Sequence, residues 1–286
     1  MHKKGNLLRA QGAMILGNFD SWIRSPRTIL RLLFTVSASF LTVRYYNVGL
    51  RANGFTMTTT ESLAYLLLTG FGKQFLASIT FLVMVSELPR RIPFQQYTLI
   101  RASRSRWISA QLLYCLLMVV FMIAFMTLVF ALLLLPVSSP GSGWSDTLRI
   151  AQGMEPEQAC IQEWIRANFS LLQALMIAIA PIFLFWFTMV LIILFFSLLG
   201  APIIGLGLYS VILFSSVIVL FEDLPGFFMP MQYSTLLKIV YGFEDQLQAR
   251  LLTTFGVYIA LIGILMAGIF VTAKHAELPT YAQNKN

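Results

Sequence analysis

Charge is scarce in this sequence. Asp, Glu, Lys and Arg make up 11% of its 286 residues, against about 25% in an ordinary soluble domain. The shortage is concentrated: none of the four occurs between Arg106 and Asp146, and none between Arg166 and Glu222. A fold that must keep a solvated surface cannot be drawn from such runs. A hydrocarbon core roughly 30 Å thick, by contrast, asks for about 20 apolar residues per helix, and the second run holds two such helices joined by a tight turn. Histidine and cysteine are nearly missing as well, with two of each. His2 and His275 lie in the terminal segments, Cys115 in an apolar run and Cys160 among polar residues. These four residues make neither a metal cluster nor a disulfide framework. No nucleophile–base pair or carboxylate dyad stands in a plausible site, which speaks against an enzyme. No G-x-x-x-x-G-K-[ST] occurs, since Gly70-Phe71-Gly72-Lys73-Gln74 lacks both its spacing and its context. The basic start Met1–Arg9 is not followed by an apolar h-region and a small-residue cleavage site, so no cleavable signal peptide is expected.

What is present is apolar. Hydrophobic residues reach 58% and the mean hydropathy is +0.77, which predicts an all-α membrane protein with six transmembrane helices. In residues 1–27, Met14, Ile15, Phe19, Trp22 and Ile23 recur at helical spacing among polar residues. That pattern predicts an N-terminal interfacial helix, with Trp22 as its anchor and Arg24 and Arg27 toward the headgroups. The transmembrane domain covers 28–273. Its spans are predicted from Thr28 to Tyr46, Ser62 to Ser86, Ile108 to Pro136, Phe169 to Leu199, just after Gly200-Ala201-Pro202 to Phe221, and Leu251 to Ala273. Polar loops at 137–168 and 222–250 join spans three to four and five to six. The second of these carries two prolines and two adjacent Phe between Leu224 and Met231.

Six spans place both termini on one side, so the loops can be weighed by charge. The side of the termini (1–27 with Arg31, 87–107 and the tail 274–286) holds thirteen Lys and Arg against three acids, Asp20, Glu87 and Glu277. The other side holds seven basic residues against nine acids. Basic residues gather in cytoplasmic loops, so both termini are expected in the cytoplasm and the protein in the cell membrane. The net charge of +8 belongs to this asymmetry and calls for membrane lipid rather than nucleic acid as a partner.

The loop 87–107 is the most informative stretch. Pro89 and Pro93 follow Glu87; Phe94, Tyr97 and Ile100 recur at three-residue spacing; Arg101, Arg104 and Arg106 precede Trp107. A basic loop that merely touches headgroups needs no apolar-faced helix protruding from the membrane, whereas a soluble partner would grip one. In its order of features the chain resembles the permease subunits of the bacterial type-2 ABC exporters. An interfacial helix leads through Ser25-Pro26-Arg27 into span one. Glu87 and the run Ile100-Arg101-Ala102-Ser103-Arg104-Ser105-Arg106-Trp107 are similar to that family's acidic residue, short coupling helix and Ser-Arg-x-x-Trp entry to span three. The break at 222–250 matches the length of its outer re-entrant helices.

The resemblance implies a dimer of two six-span subunits, homo- or heteromeric, each seated on a separate ATP-binding subunit. ATP and Mg would be bound by that partner, and no cofactor is expected on this chain. Glu87 would form the elbow, Phe94, Tyr97 and Ile100 the coupling helix, and Arg101 and Arg104 the partner surface, with Trp107 as a further interfacial anchor.

Spans three to five contain no charged residue, and the sixth has none between Arg250 and Lys274. Proton-driven carriers need titratable groups near the midplane, so an external energy source is the simpler expectation, although carbonyls and hydroxyls can hold sodium. Lys73 is the exception. It lies fourteen residues before Glu87, about 21 Å along a helix, at the height of Arg44. The two either snorkel to the outer headgroups or line an outward vestibule. The aromatics Phe183, Phe185, Trp186, Phe187, Phe195 and Phe196 ring span four, and Gly205-Leu206-Gly207 offers close helix approach in span five. A greasy path without fixed charge suits lipids, hydrophobic peptides or amphipathic compounds. The rival readings are a membrane scaffold or accessory subunit that transports nothing, and an intramembrane enzyme.

Overall fold

Twenty-eight residues without a charge, from Leu171 to Leu198, form the helix around which the others gather. A computed structural model describes residues 2–52, 58–68, 71–88, 104–136, 138, 139, 141, 144, 167–215 and 247–275. In chain order its helices are α1 His2–Ile23, α2 Pro26–Ala52, α3 Thr59–Leu68, α4 Phe71–Val85, α5 Arg104–Leu134, α6 Leu171–Leu198, α7 Pro202–Ser215 and α8 Leu247–His275. The described residues are all-helical apart from turns and one isolated bridge, Thr58–Ser139. Three helices, 104–134, 171–198 and 252–274, are each long and apolar enough to cross a membrane. At 1.5 Å per residue even the shortest of them spans about 34 Å. α2 is longer than that but carries Arg27, Arg31, Arg44 and Arg51 along its length.

Local chemistry sets the ends of α6. Ser170 caps its start: the hydroxyl accepts from the Gln173 N–H, and the Gln173 side chain accepts from the Ser170 N–H, a complete capping box. At the other end Gly200 turns left-handed at φ +80°. The Ala201 N–H then reaches the Phe196 carbonyl at 2.9 Å, and the Gly200 N–H the Ser197 carbonyl at 3.2 Å. This is a full Schellman closure, and only glycine enters that backbone region without strain. Pro202 opens α7 at once, where its missing N–H costs nothing. The expected tight turn is therefore present at 199–202, between α6 and α7.

α6 packs against α3, α5, α7 and α8, and less extensively α4; α2 packs on α4 and α5, and α1 on α5. The ring of aromatics on α6 is used inward: Phe185, Trp186 and Phe187 are buried, and Phe183, Phe195 and Phe196 are half-buried against the same core. At Gly205 α7 comes close to α6. A Cβ added there would lie 3.1 Å from the Phe196 Cβ and 3.2 Å from the Ile193 Cα, whereas one on Gly207 would meet nothing within 4 Å. Gly205→Ala therefore lowers the stability of the purified chain by about 1–3 kcal/mol, the usual cost of overpacking. Gly207→Ala, which meets open space and favours the helix, raises it by up to about 1 kcal/mol, as thermal unfolding in detergent will show.

In the stretch 62–86, read from the sequence as a single span, the described residues form two helices, α3 to Leu68 and α4 from Phe71; residues 69 and 70 lie outside the described residues. The segment 222–246, where a re-entrant element is expected, lies outside the described residues.

Candidate functional site

The chain passes from α4 toward the basic loop through Ser86, Glu87 and Leu88. Glu87 is held from the first turns of α2. Arg31 and Arg27 stand four residues apart, on one face of that helix. Arg31 Nη2 lies 2.6 Å from Glu87 Oε1, and its Nη1 donates to Oε2 at 3.3 Å, so the guanidinium spans both carboxylate oxygens. Arg27 Nη1 adds a contact of 3.1 Å to Oε1. The three groups differ in burial: the Arg31 side chain is 8% exposed, Glu87 29% and Arg27 75%. The inner pair is thus a sheltered junction, and the outer arginine a solvated supplement of little energetic weight.

Two further contacts fix the ends of the segment 89–103. At Leu88 the carbonyl accepts from the Ser197 hydroxyl, in the last turn of α6, at 3.1 Å. At Arg104, Nη1 donates to the Lys274 carbonyl, at the end of α8, at 2.6 Å. The segment thus leaves from and returns to a platform made by the start of α2, the end of α4, the start of α5, and the ends of α6 and α8. At the opposite end of the bundle, the start of α3 is tied to the chain after α5. The Thr59 N–H donates to the Ser139 carbonyl at 3.2 Å, and the Thr59 and Ser138 hydroxyls meet at 2.7 Å. Helix direction accordingly alternates from α2 through α3 and α4 as a unit, then α5, α6, α7 and α8.

The other expected site residues are distributed as follows. Phe94, Tyr97, Ile100 and Arg101 lie outside the described residues. Trp22 is buried, its ring edge-on to Phe121 at 5.4 Å, and Phe19 meets Tyr114 at 5.0 Å. Those contacts are seven residues apart on α5, about 10 Å along its axis, so α1 lies alongside α5. Trp107 is buried in the first turn of α5. Arg24 is exposed and pairs with Asp20 at 2.8 Å. Arg44 is exposed on α2. Lys73 is on α4, but its side chain lies outside the description, so the vestibule formed with Arg44 is not among the geometry seen.

Sequence reading missed two polar features. Glu61, in the first turn of α3, is fully buried, and its N–H donates to the Thr58 hydroxyl at 3.2 Å. The spacing Thr58-x-x-Glu61 is a capping-box signature and was the available signal. Deeper in the bundle, Ser78 of α4 joins three helices. Its hydroxyl accepts from Trp186 Nε1 at 3.0 Å and its carbonyl accepts from the Tyr209 hydroxyl at 2.9 Å. Nothing in the sequence distinguishes Ser78 from its neighbours. Among the described residues no three His, Cys, Asp or Glu gather into a metal site. Comparison with protein-family models, with curated proteins and with solved structures returns no match.

Proposed function

We propose that this chain is the transmembrane permease subunit of an ATP-driven exporter of the type-2 ABC class. It would work as a dimer with a separate ATP-binding chain, and both termini would be cytoplasmic. The observation that carries this reading is the anchoring of the basic segment 89–103 at both roots. Glu87 is tied to α2 through Arg31, Leu88 to α6 through Ser197, and Arg104 to α8 through Lys274. A displacement of that segment by a soluble partner is therefore delivered to three helices at once, as a coupling element requires and a headgroup anchor does not. The alternation of helix direction supports six crossings. Substrates on this reading are lipid-like molecules, hydrophobic peptides or amphipathic compounds, and the chain performs no chemistry of its own.

The test is reconstitution with the ATP-binding chain that co-purifies with it. Stimulated ATP hydrolysis is expected. Replacing Tyr97 by Asp lowers the apparent affinity of the two chains by about thirtyfold, the weight of one interface hot spot. A non-transporting scaffold would leave hydrolysis unchanged on assembly, and that result would sink the proposal.

A further inference from the structure

Between α3, α4, α5 and α6 lies a cavity of ≈ 30 Å³, with Ser78, Met126, Thr127 and Trp186 among its lining residues. A cavity needs about 10–15 Å³ to admit a water, so this one takes one or two and nothing larger. Most of the lining is apolar, and a wholly apolar cavity stays dry. Two hydroxyls set this one apart.

Ser78 Oγ accepts from Trp186 Nε1 at 3.0 Å, while its own O–H donates to none of the described residues. Thr127, on α5, behaves unlike other threonines in this bundle. Thr35, Thr42 and Thr188 each donate to the carbonyl four residues before them. The Thr127 hydroxyl makes no such bond, and none to any other described residue. A hydroxyl withdrawn from water is costly to leave unpaired. Ser78 offers a donor, and Thr127 both a donor and an acceptor. Together they supply the two polar partners that a buried water requires as a minimum. With two waters in series, each has one hydroxyl and the other water.

We propose that this cavity binds ordered water, one or two molecules, which joins the Ser78 hydroxyl of α4 to the Thr127 hydroxyl of α5. Such a bridge links elements that otherwise meet little: α2 and α6 pack on both α4 and α5, but α4 and α5 hardly touch each other. Ser78 already holds α6 through Trp186 and α7 through Tyr209. Water extends that junction to a fourth helix, through bonds nearly as favourable in enthalpy as direct ones.

Radiolytic footprinting of the full chain in lipid nanodiscs is the test, because X-rays split a bound water into a hydroxyl radical that oxidises what it touches. Met126 and Trp186 line the cavity and are 6% and 3% exposed. Met118 and Met122 precede Met126 on α5, are 1% and 0% exposed, and do not line it. With rates corrected for intrinsic reactivity and read by mass spectrometry, Met126 and Trp186 oxidise about tenfold faster than Met118 and Met122. A water-soluble radical scavenger protects exposed side chains but not these two. Thr127→Val stays close to the original shape without the hydroxyl, and brings both rates down to those of Met118 and Met122. Thr127→Ser restores the hydroxyl and most of the signal. The wild-type chain alone decides the first comparison, so a variant that does not fold leaves the test intact. The proposal fails if Met126 and Trp186 oxidise no faster than Met118 and Met122, or if the scavenger removes their excess. It fails equally if folded Thr127→Val oxidises as the wild type does.

Discussion

Glu87→Ala lowers the melting midpoint of the purified chain by about 5 °C, whereas Arg27→Ala moves it by no more than about 1 °C. The difference follows from burial. Removing Glu87 leaves the Arg31 guanidinium, 8% exposed, without the carboxylate that spans its two nitrogens. Losing one partner of a fully buried pair costs about 3–5 kcal/mol. Glu87 itself keeps 29% exposure, so about 2 kcal/mol is the appropriate figure. Arg31→Ala is milder than Glu87→Ala, because the carboxylate it leaves behind retains Arg27 and solvent. The swap Arg31→Glu with Glu87→Arg restores part of the loss, and a double-mutant cycle over Arg31 and Glu87 returns about 1–2 kcal/mol of coupling. Equal melting midpoints for the Glu87→Ala and Arg27→Ala chains would show that the inner pair carries no more weight than the outer one. Under the proposed function, Glu87→Ala also separates ATP hydrolysis from export, because the root of the 89–103 segment is released from α2.

This junction marks the limit of what the sequence reveals. Glu87 stood out as the acidic residue, and Arg104 as part of the Ser-Arg-x-x-Trp entry, of the family the chain resembles. Their partners could not be named. Arg31 reads as one more positive residue near a membrane edge, and Ser197 as a polar residue at a helix end, until the fold sets them against Glu87 and Leu88. Element existence was more legible than facing. The uncharged runs mark α5, α6 and α7, and Gly200-Ala201-Pro202 marks the turn between the last two, since these signals are local. In a helix that is apolar all round, no hydrophobic stripe records which side is covered. The inward use of Phe185, Trp186 and Phe187, and the role of Ser78, therefore had no sequence signature. Glu61 shows the converse case, in which the Thr58-x-x-Glu61 spacing was readable and its complete burial was not.

Trp186→Ala carries the largest expected loss of stability, about 3–5 kcal/mol. Trp186 lies flat on Phe81 with ring centroids 4.6 Å apart and an interplanar angle of 6°. It also donates to Ser78, whose carbonyl is held by Tyr209, so α4, α6 and α7 meet around one indole. Packing and hydrogen bonding contribute unequally here. A buried hydrogen bond in a membrane protein contributes about 0.6 kcal/mol on average, because the unfolded chain in lipid also finds partners. The large aromatic surface has no comparable substitute once it is removed. Trp186→Phe keeps a ring against Phe81 and gives up the N–H, and Tyr209→Phe keeps its ring and gives up the O–H. Each is therefore expected to cost about 1 kcal/mol, well below the truncation. Unfolding of the purified chain by a denaturing detergent, followed by circular dichroism, ranks the three variants. Should Trp186→Phe cost as much as Trp186→Ala, the bond to Ser78 rather than the stacked ring would be what joins α4 to α6. Ser78→Ala would then have to match it, because that change removes the same acceptor while leaving the indole on Phe81.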